Sequence, residues 1–261
     1  MWGDETSPIA ARFAQLAQDC GTQPAITFRG DDRKATQTGD STFAYDFAKF
    51  WRRVERVTAH LQSAWGVQPG DRVAWLGFNH ELQLVTLVAC ARLGAIFLPL
   101  NFRLAVPELQ QVKGDAKPHL LVYDTHHADT AHALQGEGLQ HTHQDSLIAT
   151  ASPRALPLPA VYGELPLLLV YTSGTTGVPK GVVHAQRAVI ETASFASSIL
   201  GLDARARFYA SSKLFFAYAL GNALFAGLRL GGTVILDAEW PTAERVADIV
   251  ERHQPSVMFS V

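Results

Sequence analysis

The sequence predicts a layered α/β fold, with mainly parallel sheets covered by helices. Two observations carry that prediction. From residue 70 onward, short apolar runs alternate with stretches of helical periodicity, the pattern of strands joined by crossover helices. Set into that alternation is one ordered polar string, residues 171–184, Tyr-Thr-Ser-Gly-Thr-Thr-Gly-Val-Pro-Lys-Gly-Val-Val-His, directly behind the apolar run Leu167-Leu168-Leu169-Val170.

Taken in order, Ser7-Pro8 caps a helix over 7–19, with Ile9, Phe13, Leu16 and Ala17 at helical spacing. Residues 25–28 form a short strand, 29–42 a polar loop, and Phe43 and Tyr45 resume the strand as a hairpin. Phe47 to Trp65 is a long amphipathic helix, with Phe50, Val54, Val57, His60 and Leu61 on its apolar face. A strand at 72–76 follows, then a helix over roughly 80–92 capped by Asn79 and ended by Gly94, then a strand at 95–100. A short helix at 106–113 leads to a strand at 119–123. Residues 135–165, broken by glycines and prolines, read as a ragged loop. Past the polar string, Val182-Val183 leads into a helix over 186–200, a strand at 208–210 and a helix from Tyr218 to Leu230. A strand at 233–236 and a helix from Pro241 come next, the helix burying Val246, Ala247, Ile249 and Val250. Residues 256–261 form an apolar strand, which leads one to expect a continuation that covers it.

Composition narrows the class. With 261 residues, 48% of them hydrophobic, the chain is long enough to bury about three-quarters of its unfolded surface, as one large domain or two small ones. A formal net charge of −2 and the lack of a basic run argue against nucleic acid or an anionic membrane as partner. Cys20 and Cys90 suit reduced thiols in a cytoplasmic protein. The first residues lack the features of a signal peptide, and the most apolar window, 82–100, is interrupted by Gln83, Arg92, Gly94 and Pro99. No integral membrane segment is expected.

The polar string has its own chemistry. Glycines at 174, 177 and 181 let backbone N–H groups turn inward, while the hydroxyls of Thr172, Ser173, Thr175 and Thr176 and the ammonium of Lys180 add donors. Such a loop suits polyphosphate oxygens. It is not a Walker loop, because Pro179 precedes Lys180 and Gly181 follows it; nor is it a nucleophile elbow, because Ser173 lies between Thr172 and Gly174. The bland alternative is a flexible hairpin loop of small polar residues.

The string Tyr171–Gly181 resembles the phosphate-binding signature of the adenylate-forming superfamily, which includes acyl- and aryl-CoA synthetases, luciferases and peptide-synthetase adenylation domains. Residues 70–74 and 91–101 resemble two further segments of that superfamily, and Asn101 stands where peptide-synthetase domains usually have aspartate, which favours the CoA ligases. The segment Lys213–Asn222 resembles the aromatic segment lining the carboxylate pocket, with wording nearest the benzoate-type ligases. By themselves Phe215, Phe216 and Tyr218 read as core packing at a helix start. The resemblance turns Phe215, Phe216 and Tyr218 into flat walls for an aromatic ring, with Ala217, Ala219 and Gly221 leaving space, and makes Phe216, Ala217, Tyr218 and Gly221 the pocket lining.

What the resemblance implies is an incomplete N-terminal large domain over residues 8–261, with 70–184 as one α/β subdomain, 8–65 plus 186–261 as part of a second, and the small C-terminal domain absent. It implies ATP, Mg2+ and coenzyme A as cofactors or substrates and a small carboxylic acid, aromatic by the pocket, as partner. Thr172, Ser173, Gly174, Thr175, Thr176, Gly177 and Lys180 would hold ATP phosphates. No catalytic or metal-ligating residue is assigned, because the family's magnesium, ribose and catalytic-lysine positions fall beyond residue 261, so these residues alone are expected to be inactive. Three readings stay open: part of an aryl- or acyl-CoA synthetase, a non-catalytic nucleotide- or partner-binding module, and an adenylation subunit completed by another protein. The oligomeric state, a homodimer included, is also open. His184 reads equally as a shaper of the nucleotide side or a structural residue. The histidines at 126, 127, 132, 141 and 143 read as solvated loop residues without metal-ligand spacing.

Overall fold

The computed structural model describes residues 7–29, 42–149, 156–173 and 179–260; the side chains of Arg29, Thr42, Phe43, Ala149, Ser173 and Thr192 lie outside that description. The chain falls into two compact units, one comprising residues 1–11, 52–77 and 82–188 and the other 12–51, 78–81 and 189–261. It begins with α1 (Pro8–Asp19), β1 (Pro24–Arg29), β2 (Thr42–Asp46) and α2 (Phe47–Trp65). The Ser7 hydroxyl accepts from the Ala10 amide at 3.1 Å, as the cap requires. Phe47, Phe50, Val54, Val57 and Leu61 of α2 are buried, at the spacing of one helix face.

The first unit is built on β3 (Arg72–Leu76), α3 (Glu81–Leu93), β4 (Ile96–Pro99), α4 (Val106–Ala116), β5 (Leu120–Tyr123), α5 (Ala128–Ala133), β6 (Gln140–His143), α6 (Ser146–Ala149), β7 (Pro166–Ser173) and β8 (Pro179–Ala185). Its six strands run in the order β6-β5-β3-β4-β7-β8, parallel except for the β7–β8 pair. Parallel strands are covered on both faces, and Val73 to Leu76 are all buried. Helix α3 is buried nearly all round, and Thr86 satisfies its hydroxyl on the Leu82 carbonyl at 2.7 Å. That accounts for the apolar window at 82–100. Among the described residues no helix is long and apolar enough to cross a membrane. Gly94, at φ +66°, ends α3 in the left-handed region that favours glycine.

The second unit continues with α7 (Gln186–Thr192), which starts in the first, then α8 (Phe195–Ser198), β9 (Arg207–Ala210), α9 (Ala217–Ala219), α10 (Ala226–Leu230), β10 (Thr233–Asp237), α11 (Ala243–His253) and β11 (Val257–Phe259). Its sheet has the order β11-β9-β10-β1-β2, parallel apart from the β1–β2 hairpin. Tyr209, Ile235 and Ile249 form a small core beneath α11.

Several expectations are corrected. The stretch 135–165 holds β6 and α6; β6 reads Gln-His-Thr-His, so no apolar run announces it, and it is defined only by parallel pairing with β5. The helix expected over 186–200 breaks after Thr192, where Ser197 and Ser198 donate their hydroxyls to the Ser194 carbonyl and compete with helix continuation. In α11 the buried stripe is Arg245, Ile249 and His253, whereas Val250 is exposed. Asn79 stands two residues ahead of α3, and its amide oxygen accepts from the Leu214 N–H at 2.9 Å. Residues 30–41 of the expected polar loop lie outside the described residues.

Gly227 of α10 lies against the sheet, where an added Cβ would meet Val234 Cγ2 at 2.8 Å and the Phe208 ring at 3.0 Å. Alanine normally gains about 1 kcal/mol over glycine in a helix, but overpacking a filled site costs about 1–3 kcal/mol. We therefore expect Gly227→Ala to lower the thermal midpoint followed by circular dichroism. An unchanged or raised midpoint would contradict this packing.

Candidate functional site

The described part of the polar string lies on two antiparallel strands. β7 runs to Ser173 and β8 resumes at Pro179, with Ser173 opposite Pro179, Thr172 opposite Lys180 and Tyr171 opposite Gly181. Thr172 and Lys180, both exposed, thus stand side by side at the mouth of the loop. Gly174, Thr175, Thr176 and Gly177, with Val178, lie outside the described residues, as does the side chain of Ser173. The expected step from Val182-Val183 into a helix is instead the middle of an edge strand, and both valines are exposed.

Gly181 shows why glycine is needed there: a Cβ would meet Leu169 Cδ1 at 2.9 Å and Tyr171 Cζ at 3.1 Å. The Tyr171 ring lies across the glycine, and its hydroxyl donates to Asp115 of α4. Burial and that bond push the phenol above its usual range. One end of the hairpin is thereby tied to a helix 56 residues away in sequence, a partnership that no local pattern announces.

The aromatic segment lies wholly in the second unit, beginning where β9 ends. Ser211 donates its N–H to the Phe259 carbonyl of β11 at 3.0 Å, and its hydroxyl bonds that of Ser260 at 2.9 Å. Ligands of parallel α/β sheets gather at the carboxyl ends of strands, and this segment leaves from such an end. Phe216, Ala217 and Tyr218 are exposed, Phe216 and Tyr218 at 40% and 39%. Gly221 has open space where a Cβ would stand. Phe215 and Ala219, by contrast, are buried; Phe215 is therefore core and not a pocket wall, and Ala219 leaves no space at the surface. Tyr218 meets Phe259 edge-on at 6.3 Å, and Phe259 meets Phe195 in the same manner. From Leu220 to Phe225 the helix widens into a π-turn, an irregularity frequent at functional sites.

Beneath this segment is a charge cluster that pattern reading passed over. Lys213 is 1% exposed and donates to the carbonyls of Asp237, at 3.0 Å, and Glu239. Arg245 grips the Asp237 carboxylate through Nε at 2.8 and 2.9 Å and Nη2 at 2.5 Å, and reaches Glu239 Oε2 at 3.1 Å. Burial drags the Lys213 ammonium down to about 8, against the pull of Asp237. A clue was available: a lysine inside an otherwise apolar and aromatic stretch. Ser211 and Ser260 also line an open hollow of about 470 Å³, with Thr242, Val246 and Met258; it includes none of the pocket residues expected from sequence.

The histidines are not simply solvated. His127 Nδ1 lies 2.6 Å from Asp124, His132 and His143 pack on the Tyr123 ring, and His141 has both ring nitrogens buried without a described partner. Burial, with His132 and Lys113 nearby, holds the His141 pKa down. His184 is half-buried on β8. Among the described residues no group of three or more His, Cys, Asp or Glu side chains is placed to hold a metal ion.

Fold and loop together define a layered α/β protein that carries a donor-rich glycine loop on a sheet-edge hairpin. The chain matches the model of the AMP-binding enzyme family over residues 15–261, and it belongs to that family. It is 38% identical over 229 residues to a feruloyl-CoA synthase of Amycolatopsis sp, covering 87% of this chain and 45% of that protein. It is 30% identical over 260 residues to a 3-hydroxybenzoate–CoA ligase of Aromatoleum sp. strain CIB, covering 94% and 47%. Its fold superposes on a benzoate CoA ligase of Burkholderia xenovorans LB400 with a TM-score of 0.82 at 24% identity, over 96% of this chain and 49% of that one. The chain thus spans about half the length of these relatives.

A Lys213 pKa near 8, against 10.5 ordinarily, has a definite sign. Below pH 8 folded and unfolded chains both hold the proton; between about 8 and 10.5 only the unfolded chain does, so stability rises with pH across that window, by no more than about 3 kcal/mol. Urea unfolding of the wild type relative to Lys213→Met should show that rise. A flat or falling difference would contradict it.

Proposed function

We propose that the chain supplies the ATP-phosphate loop and the acid-binding segment of a ligase that converts an aromatic carboxylic acid to its coenzyme A thioester. The observation that carries this reading is the solvent-facing Phe216-Ala217-Tyr218 turn at a strand end, with open space at Gly221, in a family member whose relatives include a feruloyl-CoA synthase and a 3-hydroxybenzoate–CoA ligase. Flat aromatic walls beside small residues suit an aryl ring, and a core role does not explain why three such residues face outward.

The reaction proceeds in two displacements. The substrate carboxylate attacks the α-phosphate of ATP and pyrophosphate leaves; the thiol then attacks the acyl carbon and AMP leaves. Such chemistry asks of the protein positioning and neutralisation of charge on the phosphate oxygens. In this reading Thr172, Ser173, Thr175 and Thr176 donate hydroxyls, the backbone at Gly174 and Gly177 turns its N–H groups inward, and Lys180 adds a cation at the loop's exit. The pairing of Thr172 with Lys180 across the hairpin supports that assignment. Mg2+, when bound, would screen the phosphates; among the described residues no group of three or more His, Cys, Asp or Glu side chains is placed to hold it. The expected division into a 70–184 subdomain and a second made of 8–65 plus 186–261 belongs to the same proposal, although residues 52–65 fall in the compact unit that holds 82–188; a cytoplasmic setting where ATP and coenzyme A are supplied belongs to it too.

Half of the relatives' length has no counterpart in these 261 residues. That favours a second reading in which the 261 residues bind nucleotide without turning it over. Pyrophosphate release with ATP, coenzyme A and benzoate, 3-hydroxybenzoate, ferulate or a fatty acid separates the readings. A protein of the relatives' length containing this chain should release pyrophosphate with an aromatic acid and little with the fatty acid, whereas the 261 residues alone should release none. Preference for the fatty acid would overturn the aromatic assignment, and turnover by the 261 residues would show that they need nothing further.

Removing charge-assisted donors from a phosphate typically costs about 1.5–3 kcal/mol. Lys180→Ala combined with Thr175→Ala should accordingly weaken ATP binding, followed by calorimetry, by at least about tenfold. Unchanged affinity would remove the loop from the site.

A further inference from the structure

The cluster under the aromatic segment has no part in the reaction just described, yet its geometry is unusually committed. Lysine is almost never fully buried, because taking its charge out of water costs far more than burying carbon. Lys213 is nonetheless 1% exposed. Its ammonium is not spent on a carboxylate; it donates to the main-chain carbonyls of Asp237 and Glu239, at the carboxyl end of β10. The side chains of the same two acidic residues face Arg245, so the ionised groups packed here are two cations and two anions.

A second tether lies one residue on. The Leu214 N–H donates to Asn79 Oδ1 at 2.9 Å, and Asn79 is itself 4% exposed. The Phe216 N–H then closes a turn onto the Lys213 carbonyl at 3.0 Å, and the exposed Phe216-Ala217-Tyr218 follows at once. Residues 213 and 214 are thus each held from a different direction, immediately before the side chains that face solvent. An apolar residue at 213 would fill the same volume but fix no direction, since carbon packing is non-directional and hydrogen bonds are not.

We propose that Lys213 and Asn79 are positioning residues for the acid: they lock the start of the aromatic segment to the end of β10 and to the residues before α3, and so set where Phe216 and Tyr218 stand against the acid's ring. The proposal rests on the reading of 216–221 as the acid pocket. It names no group that touches substrate beyond that reading.

Lys213→Met keeps the length of the stem and removes its donors; Asn79→Ala removes the second tether independently. In a protein of the relatives' length containing this chain, with the fastest acid of benzoate, 3-hydroxybenzoate and ferulate as probe, each should raise KM for the acid about tenfold or more. KM for ATP should stay within about twofold. A folded variant with unchanged acid KM would overturn the proposal. So would acid and ATP KM rising together, which is what a merely structural role produces. Should Lys213→Met fail to fold, Asn79→Ala decides by the same split. Tyr218→Ala separates the two layers of the argument. If it shifts acid KM while both tether variants leave it unmoved, only the positioning role falls; if it leaves acid KM unmoved, the pocket reading falls and the positioning role with it.

Discussion

Parallel strands must be covered on both faces, and that constraint orders the chemistry of this chain. A strand sandwiched between helices has no place for a charged or reactive side chain along its length, so β3, β4 and β5 are almost wholly apolar and buried. Polar function is pushed to two places, the carboxyl ends of strands and the edge of a sheet. The aromatic segment occupies the first, leaving β9 at Ser211; the donor-rich polar string occupies the second, between β7 and β8. β8 shows the opposite regime: as an edge strand it exposes Lys180, Gly181, Val182 and Val183 in succession.

Where polar groups do enter the interior, they are tied to carbonyls or to opposite charge. The Lys213 ammonium finds the carbonyls of Asp237 and Glu239, and the Arg245 guanidinium takes the Asp237 carboxylate bidentately. Buried charge of this kind gives little net stability, but it is directional. The Tyr171–Asp115 bond works similarly at the hairpin, fixing the ring that lies on Gly181. In both cases the polar contact stands immediately before the residues to which function is ascribed.

Much of this was legible in the chain itself. The boundaries of α2 and β3 follow from periodicity and turn residues, because a 19-residue amphipathic face and a short apolar run leave few alternatives. The loop and the aromatic segment were found as ordered strings. β6 was not found, since a strand reading Gln-His-Thr-His exists only through its neighbour β5. Asn79 was read as a helix cap because caps are local; its actual partner, Leu214, lies 135 residues away.

The sequence by itself determined the layered α/β class, the family and the position of both strings, because each is written in neighbouring residues. Which of the aromatics face outward was decided only by the tertiary structure. Phe215 and Phe216 are adjacent and chemically identical, yet one is buried and the other 40% exposed. Just before them, Lys213 and Leu214 are bonded to the end of β10 and to Asn79, groups that meet only when strands distant in sequence lie side by side.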